Sequence, residues 1–427
     1  MFIIYDLIFL IIAVIYLPIY LFRRKFHRGF FLRFGILPKD LKLEQPIWVH
    51  AVSVGEAMAV RGLVGELKKA YPEKKFFIST VTSTGNKIAE SMARGSDFVT
   101  YLPLDFSFIV KGVINKIKPS LLILAETEIW PNLISYLARL NIPIVIVNGR
   151  ISDSSFRGYL SIKFLLKPIL NKINSFCVQT QRDAQRLIRL GVSQDKIEIT
   201  GNMKFDFKDC TDLKKDYTDY KRKLSLGADE KLLVAGSTHS GEEGIILNIY
   251  KKLLDEFSYL KLLLAPRHPE RAKEVEKMVL KNGFRPLRIS QLSGQKGIRA
   301  FGHSVFILDT IGQLMHYYAI ADIVFVGGSL VKKGGHNILE PASLGKPILF
   351  GPHMFNFRDI AELFLKNQAA ILVHNPEELK EKIKDLLINA EKTRKFSQRA
   401  LELILENRGA TQRDLKLIRN LYARISL

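Results

Sequence analysis

The residues of this chain that could do chemistry cluster just after short apolar runs. The first cluster is His50-Ala51-Val52-Ser53-Val54-Gly55-Glu56-Ala57. A strand ends there, a turn of small residues follows, and Glu56 stands where a helix begins. A carboxylate at that position caps the helix and meets its N-terminal dipole, or it serves as a general base that takes the proton from an acceptor hydroxyl; spacing weighs the two equally. Ala125-Glu126-Thr127-Glu128-Ile129-Trp130-Pro131-Asn132 places two carboxylates directly after a buried strand. One can cap the helix opened by Pro131, which leaves Glu126, nearest the strand end, for a role in a cleft. In Gly201-Asn202-Met203-Lys204-Phe205-Asp206 the glycine supplies a tight turn and Lys204 a point charge suited to phosphate. A solvated lysine with no such role is the commoner occupant of a loop like this.

The second half offers groups suited to anions. Gly236-Ser237-Thr238-His239 follows a strand and leads into a helix near Glu242, a turn that can present backbone N–H groups to an anion. Pro266, Arg267 and His268, in Ala265-Pro266-Arg267-His268-Pro269-Glu270-Arg271, follow the next strand, and the Arg267 guanidinium can pair with phosphate or carboxylate in forked geometry. Thr310-Ile311-Gly312-Gln313-Leu314 opens another helix. The densest block runs through Gly327-Gly328-Ser329-Leu330, then Gly334-Gly335-His336-Asn337-Ile338-Leu339-Glu340-Pro341, to Gly345-Lys346-Pro347. Its glycines let backbone approach a ligand, the following helix aims N–H groups at phosphate, and Glu340 can accept two hydrogen bonds from vicinal ribose hydroxyls. No simple structural need explains Gly-Gly-His-Asn together with the Glu.

The elements that must position these groups alternate in two series. Apolar strand runs at Ile47–Ala51, Lys75–Thr80, Phe98–Tyr101, Leu121–Ala125, Ile144–Asn148, Phe176–Val178 and Ile197–Ile199 are separated by helical stretches such as Glu56–Ala70 and Asn86–Arg94. A charged segment, Lys208 to Lys223, interrupts the pattern. It then resumes at Leu232–Ala235, Leu262–Ala265, Val305–Leu308, Ile323–Val326, Pro347–Phe350 and Ala370–Val373, and from Pro376 onward the chain reads as helical. Continuously apolar strands imply parallel sheets covered on both faces, with ligands at their carboxyl ends. The expected fold is therefore α/β, with two Rossmann-like domains and a cleft between them. The expected boundaries are 1–25 for a membrane anchor, 26–207 for the first domain, 208–223 for a linker, 224–405 for the second domain and 406–427 for a C-terminal helix.

Composition agrees with two cores: 427 residues, 47% hydrophobic. The net charge of +22, from 64 basic against 42 acidic residues, suits nucleic acid, an anionic membrane or an anionic substrate. The basic residues are scattered and no nucleic-acid motif accompanies them, which disfavours nucleic acid. Cys177 and Cys210 are the only cysteines, one in an apolar run and one in a charged loop, a pattern of a reducing compartment. Phe2 to Phe22 is apolar apart from Asp6, and Arg23, Arg24 and Lys25 follow. With no positive charge before the run and no small-residue cleavage site after it, this reads as an anchor that holds the rest of the chain in the cytoplasm. Leu7 to Phe22 reaches only ~24 Å at ~1.5 Å per residue against a hydrocarbon core of ~30 Å, so it tilts little or lies partly in the interface. A buried core helix is the alternative. Phe26, Phe30, Phe31, Phe34 and Ile36, interleaved with Arg23, Arg24, Lys25, His27, Arg28 and Arg33, suit an anionic headgroup boundary.

Taken together, Ser-Val-Gly-Glu, Glu-Thr-Glu-Ile-Trp-Pro-Asn, Gly-Asn-Met-Lys-Phe-Asp, Ala-Pro-Arg-His-Pro-Glu-Arg and Gly-Gly-His-Asn-Ile-Leu-Glu-Pro resemble the 3-deoxy-D-manno-octulosonic acid (Kdo) transferases of lipopolysaccharide assembly, over nearly the whole chain. The resemblance implies a GT-B glycosyltransferase fold and an inverting transfer of Kdo from CMP-Kdo to a hydroxyl of the lipid A precursor, lipid IVA, at the cytoplasmic side of the inner membrane. It implies Glu56 as catalytic base and Glu126 and Lys204 as transition-state stabilisers. Around CMP it implies Pro266, Arg267, His268, Ile311, Gly312, Gln313, Gly334, Gly335, Asn337, Ile338, Leu339 and Glu340, and it implies neither cofactor nor catalytic metal. Gln313 departs from the glutamate that the family pattern leads one to expect.

Two other readings compete. A nucleotide-sugar epimerase shares the architecture, but its soluble substrate needs no anchor. A basic scaffold for anionic lipid leaves the strand-end motifs unexplained.

Overall fold

A computed structural model describes residues 5–7, 9–11, 14, 15, 29–206, 217–292 and 303–423. The chain divides into two units, Met1–Asp206 with Asn407–Leu427, and Phe207–Glu406.

The first unit is built on seven strands: β1 (Ile47–His50), β2 (Phe76–Thr80), β3 (Phe98–Tyr101), β4 (Leu121–Ala125), β5 (Ile144–Gly149), β6 (Ser175–Val178) and β7 (Ile197–Ile199). All pair in parallel, in the order β3-β2-β1-β4-β5-β6-β7. Period-two alternation splits the core between the two faces of the sheet. Trp48, Phe77, Leu122 and Leu124 lie on one side, and Ile47, Val49, Phe76, Ile78, Leu121 and Ile123 on the other. The helix Val54–Ala70 presents Ala57, Val60, Leu63, Val64 and Leu67 to the second of these faces, at the three-and-four spacing of an amphipathic helix. Strand order reverses between β1 and β4, so the loops after those two strands flank the crevice where open α/β sheets bind ligands.

The helix Ala410–Ala423 belongs to this same unit. Its Ala410, Leu415 and Ile418 pack in the core beside Val60 and Leu63. Asp206 holds its start, accepting from Gly409 N and Thr411 N at 2.6 Å each, and Arg413 Nε donates to Thr200 O at 2.7 Å.

The second unit repeats the plan with β8 (Lys231–Thr238), β9 (Leu260–Pro266), β10 (Arg285–Arg288), β11 (Ser304–Ile307), β12 (Ile323–Val326), β13 (Ile348–Phe350) and β14 (Ile371–Leu372). They are parallel, in the order β10-β11-β9-β8-β12-β13-β14, with the reversal between β8 and β12. The apolar-run reading anticipates every strand but β10. That strand is Arg-Pro-Leu-Arg at a sheet edge, where proline and charge are tolerated and no apolar run is required. Within the segment read as a linker, Tyr217–Lys223 is helical, and Tyr220 stacks on His316 with ring centroids 4.5 Å apart; residues 208–216, like Cys210 among them, lie outside the described residues.

Most of the expected anchor and collar also lies outside the described residues, and among those described no helix is long and apolar enough to cross a membrane. Asp6, the one charge in that apolar run, is put to use. Its carboxylate accepts from Ser107 N at 3.0 Å, Ser107 Oγ at 2.5 Å and Asn132 Nδ2 at 2.7 Å. It thereby supplies the start of the helix Ser107–Ile117 with the cap that Phe106, the preceding residue, lacks. Phe31, Phe34 and Ile36 are exposed.

Candidate functional site

In the first unit Glu56 takes part in the cap of its helix. Ser53 caps the helix, its Oγ accepting from Glu56 N at 3.3 Å and donating to Glu56 Oε1 at 2.8 Å, while Val52 N donates to Oε2 at 2.7 Å. This is a capping box whose glutamate reaches one residue ahead of the cap. Each oxygen keeps a lone pair for a further donor. Burial pushes the Glu56 carboxyl above the usual range; Ser53 and Val52 pull it back, Glu126 raises it and Lys204 lowers it. A carboxylate raised towards neutrality is better matched to accepting a hydroxyl proton than an ordinary one.

Glu126 and Lys204 meet beside it, with Lys204 Nζ 3.6 Å from Glu126 Oε1. Backbone in the left-handed region sets up this meeting. Glu126, directly after β4, has φ +55, and Asn148, at the end of β5, has φ +54. Such residues carry strain that the surroundings must hold, and they gather at functional sites. Asn148 is fully buried, and its Oδ1 accepts from Met203 N at 3.0 Å, fixing the loop one residue before Lys204. Asn202 Oδ1 accepts from Lys204 N at 2.9 Å. Sequence reasoning missed Asn148, although an asparagine ending a parallel strand is a recognisable left-handed candidate.

Glu128 is not an idle second carboxylate. Burial, then the charges of Glu56 and Glu126, push it up to about 7. The helix cap that Glu126 or Glu128 was expected to provide comes instead from Asp105, whose oxygens accept from Asn132 N at 3.0 Å and Leu133 N at 2.9 Å. Behind the site, His50 Nδ1 lies 3.0 Å from Ser79 O and Oγ, and burial drives the ring down to about 3, so it stays neutral. One unit thus gathers three carboxyl groups and an ammonium at its topological reversal.

In the second unit the expected nucleotide residues sit at the carboxyl ends of three strands: Pro266 closes β9 and Arg267 and His268 follow it, Ile311 to Gln313 follow β11, and Gly334 to Glu340 lie in the segment after β12. Ile311 is 87% exposed, and Arg267 and His268 are exposed too. Glu340 is raised by burial and lowered by Asn337 and Arg267; its Oε1 accepts from Asn337 Nδ2 at 3.2 Å. Thr310 Oγ1 and Gln313 Oε1 are buried polar atoms with no hydrogen-bond partner.

The glycines have an internal explanation that sequence did not supply. A Cβ on Gly327 would come 2.6 Å from Thr238 Cα, and one on Gly335 2.1 Å from Met354 Sδ; Gly334 and Gly335 have φ +97 and +71. In the turn Gly236 to His239, where backbone N–H groups were expected to meet an anion, that of His239 is already taken. Fully buried Glu242 accepts from His239 N at 3.0 Å, Gly328 N at 2.7 Å, Ser329 N at 3.0 Å and Leu330 N at 3.0 Å. The helix after Ile338 runs only from Leu339 to Ser343, and Leu339 N is held by Asn337 Oδ1 at 3.1 Å. Glu243 accepts from Thr238 Oγ1 at 3.0 Å and Arg271 Nη1 at 2.7 Å, tying the β8 and β9 loops together. Among the described residues no group of three or more His, Cys, Asp or Glu is placed to hold a metal ion.

Two parallel α/β units, each with polar side chains at the carboxyl ends of its strands, have the architecture of GT-B glycosyltransferases. The model of the family described as 3-deoxy-D-manno-octulosonic-acid transferase (kdotransferase) matches residues 28–207, and that of glycosyl transferases group 1 matches residues 288–403. The 3-deoxy-D-manno-octulosonic acid transferase of Haemophilus influenzae is 38% identical over 88% of this chain and 87% of its own length. The enzyme of the same description from Chlamydophila psittaci is 33% identical over 84% of this chain and 83% of its own. The chain belongs to the Kdo transferase family. The solved UDP-GlcNAc 2-epimerase of Neisseria meningitidis superposes with a TM-score of 0.54 at 14% identity, covering 85% of this chain and 99% of the epimerase. That likeness is one of fold.

Proposed function

We propose that this glycosyltransferase moves Kdo from CMP-Kdo to a hydroxyl of lipid IVA, with inversion and release of CMP. The observation that carries the reading is Glu56: nearly covered, raised above the ordinary carboxylate range, and next to Glu126 and Lys204. Glu56 takes the proton of the acceptor hydroxyl as that oxygen attacks the anomeric carbon. Glu126 and Lys204 stabilise the charge that develops in the transition state. Pro266, Arg267, His268, Ile311, Gly312, Gln313, Gly334, Gly335, Asn337, Ile338, Leu339 and Glu340 hold the nucleotide, and no metal takes part. An N-terminal anchor in the inner membrane, with anionic lipid around the basic collar, keeps both domains on the cytoplasmic side near a lipid acceptor.

Incubation of the full chain with CMP-Kdo and lipid IVA, with the lipid read by mass spectrometry, should give an increment of one or more Kdo units. Glu56→Gln should slow transfer by at least about 100-fold while CMP still binds. Near-normal turnover in that variant sinks the assignment of the base.

A further inference from the structure

At the strand ends of the second unit Glu242 already occupies the amides of His239, Gly328, Ser329 and Leu330, so those four are closed to an anion and the polar side chains beside them come into play. Arg267 is one candidate. The other is a pair of imidazoles: His239 Nε2 lies 2.9 Å from His336 Nε2, with the ring planes 7° apart and the centroids 5.1 Å apart. Gly328 backs the pair; a Cβ there would come 3.0 Å from His336 Cδ2 and 3.3 Å from His239 Cδ2.

Two nitrogens at this distance require a proton between them, so one ring donates and the other accepts. In the neutral pair, one outward Nδ1 then carries a hydrogen and the other is bare. One added proton changes both properties together. Both Nδ1 atoms become donors, and the pair becomes a cation. In the free protein burial holds both rings neutral, His336 down at about 4, helped by the charges around them: Arg267, Arg271, Lys333 and His268 disfavour a further proton, and Glu243 favours one.

We propose that the His239–His336 pair is a proton-gated receptor for the nucleotide phosphate: it takes one proton from water as the phosphate binds and returns it when the nucleotide departs. This rests on the reading of the second unit as the CMP site. The balance is simple. No covalent bond changes at the pair, and the acceptor's own proton goes to Glu56. When the sugar–oxygen bond breaks, the phosphate passes from a singly charged diester to a monoester with a second charge, and the protonated pair faces that new charge.

Calorimetric titration of the full chain with CMP, near neutral pH in two buffers of different ionisation enthalpy, counts the protons. The wild type should take up close to one proton per CMP, and cytidine, which has no phosphate, should bind with none. His336→Gln should abolish the uptake and weaken CMP roughly tenfold, leaving cytidine unchanged. If that variant fails to fold, His239→Gln removes the other half of the same bond and is judged by the same readouts. CMP binding to the wild type without proton uptake, or uptake that survives the substitution, overturns the proposal. A chain that binds neither CMP nor cytidine overturns the nucleotide site beneath it.

Discussion

At the residue scale, function depends on which carboxyl groups are charged. In the proposed mechanism Glu56 must be ionised to act as a base, so transfer should rise with pH through a value above its ordinary range. Lys204 lowers that value and Glu126 raises it. Lys204→Met should therefore move the acid limb of the kcat/KM profile to higher pH, besides lowering the maximum; an acid limb that stays put or moves down would show that Lys204 does not act on the base. Ser53→Ala removes both the cap and one hydrogen bond to Glu56, and should cost about 1 kcal/mol in denaturant unfolding. Glu56, Glu126 and Lys204 were legible as candidates in the sequence because each lies within five residues of the end of an apolar run. Glu242 was not legible as an amide receptor. Its partners Gly328 to Leu330 lie 86 to 88 residues away, and no local pattern announces such a bond.

At the scale of elements, buried charge is the decisive feature. Glu242 joins the start of the helix Glu242–Leu254 to the loop after β12, and Glu242→Ala would strand four N–H groups, those of Gly328 and Ser329 buried. A loss of about 3 kcal/mol or more is expected in denaturant unfolding, with Glu242→Gln in between. Asp414, on the helix Ala410–Ala423, is fully buried near Cys177, Thr200 and Asn148, and burial pushes it from 3.8 up to about 7. An acid whose pKa is raised by folding destabilises the fold progressively as pH climbs from its unfolded value through the folded one. Asp414→Asn should gain in Tm relative to the wild type as pH rises from about 4 to about 7 and hold that gain above; a difference independent of pH would contradict it. The strands themselves were legible because parallel strands buried on both faces are continuous apolar runs. β10 and the cap supplied by Asp6 were not, since an edge strand tolerates Arg and Pro, and a cap from 101 residues away leaves only an odd charge in an apolar stretch.

At the scale of the whole molecule, the charge of +22 makes association with anionic surfaces sensitive to salt. Co-sedimentation with vesicles containing phosphatidylglycerol should fall when NaCl rises from about 0.05 M to about 0.5 M, while vesicles of neutral lipid should show little change. Retention that ignores salt would mean that apolar insertion dominates. The return of the helix Ala410–Ala423 to the first unit has a consequence for synthesis. Asp206 waits 203 residues for Gly409, and the apolar surface beside the helix Val54–Ala70 that receives Leu415 and Ile418 stays uncovered on the ribosome while the entire second unit is made. The unit built first is thus the one completed last, and its exposed apolar face is where a nascent chain of this protein most needs a chaperone.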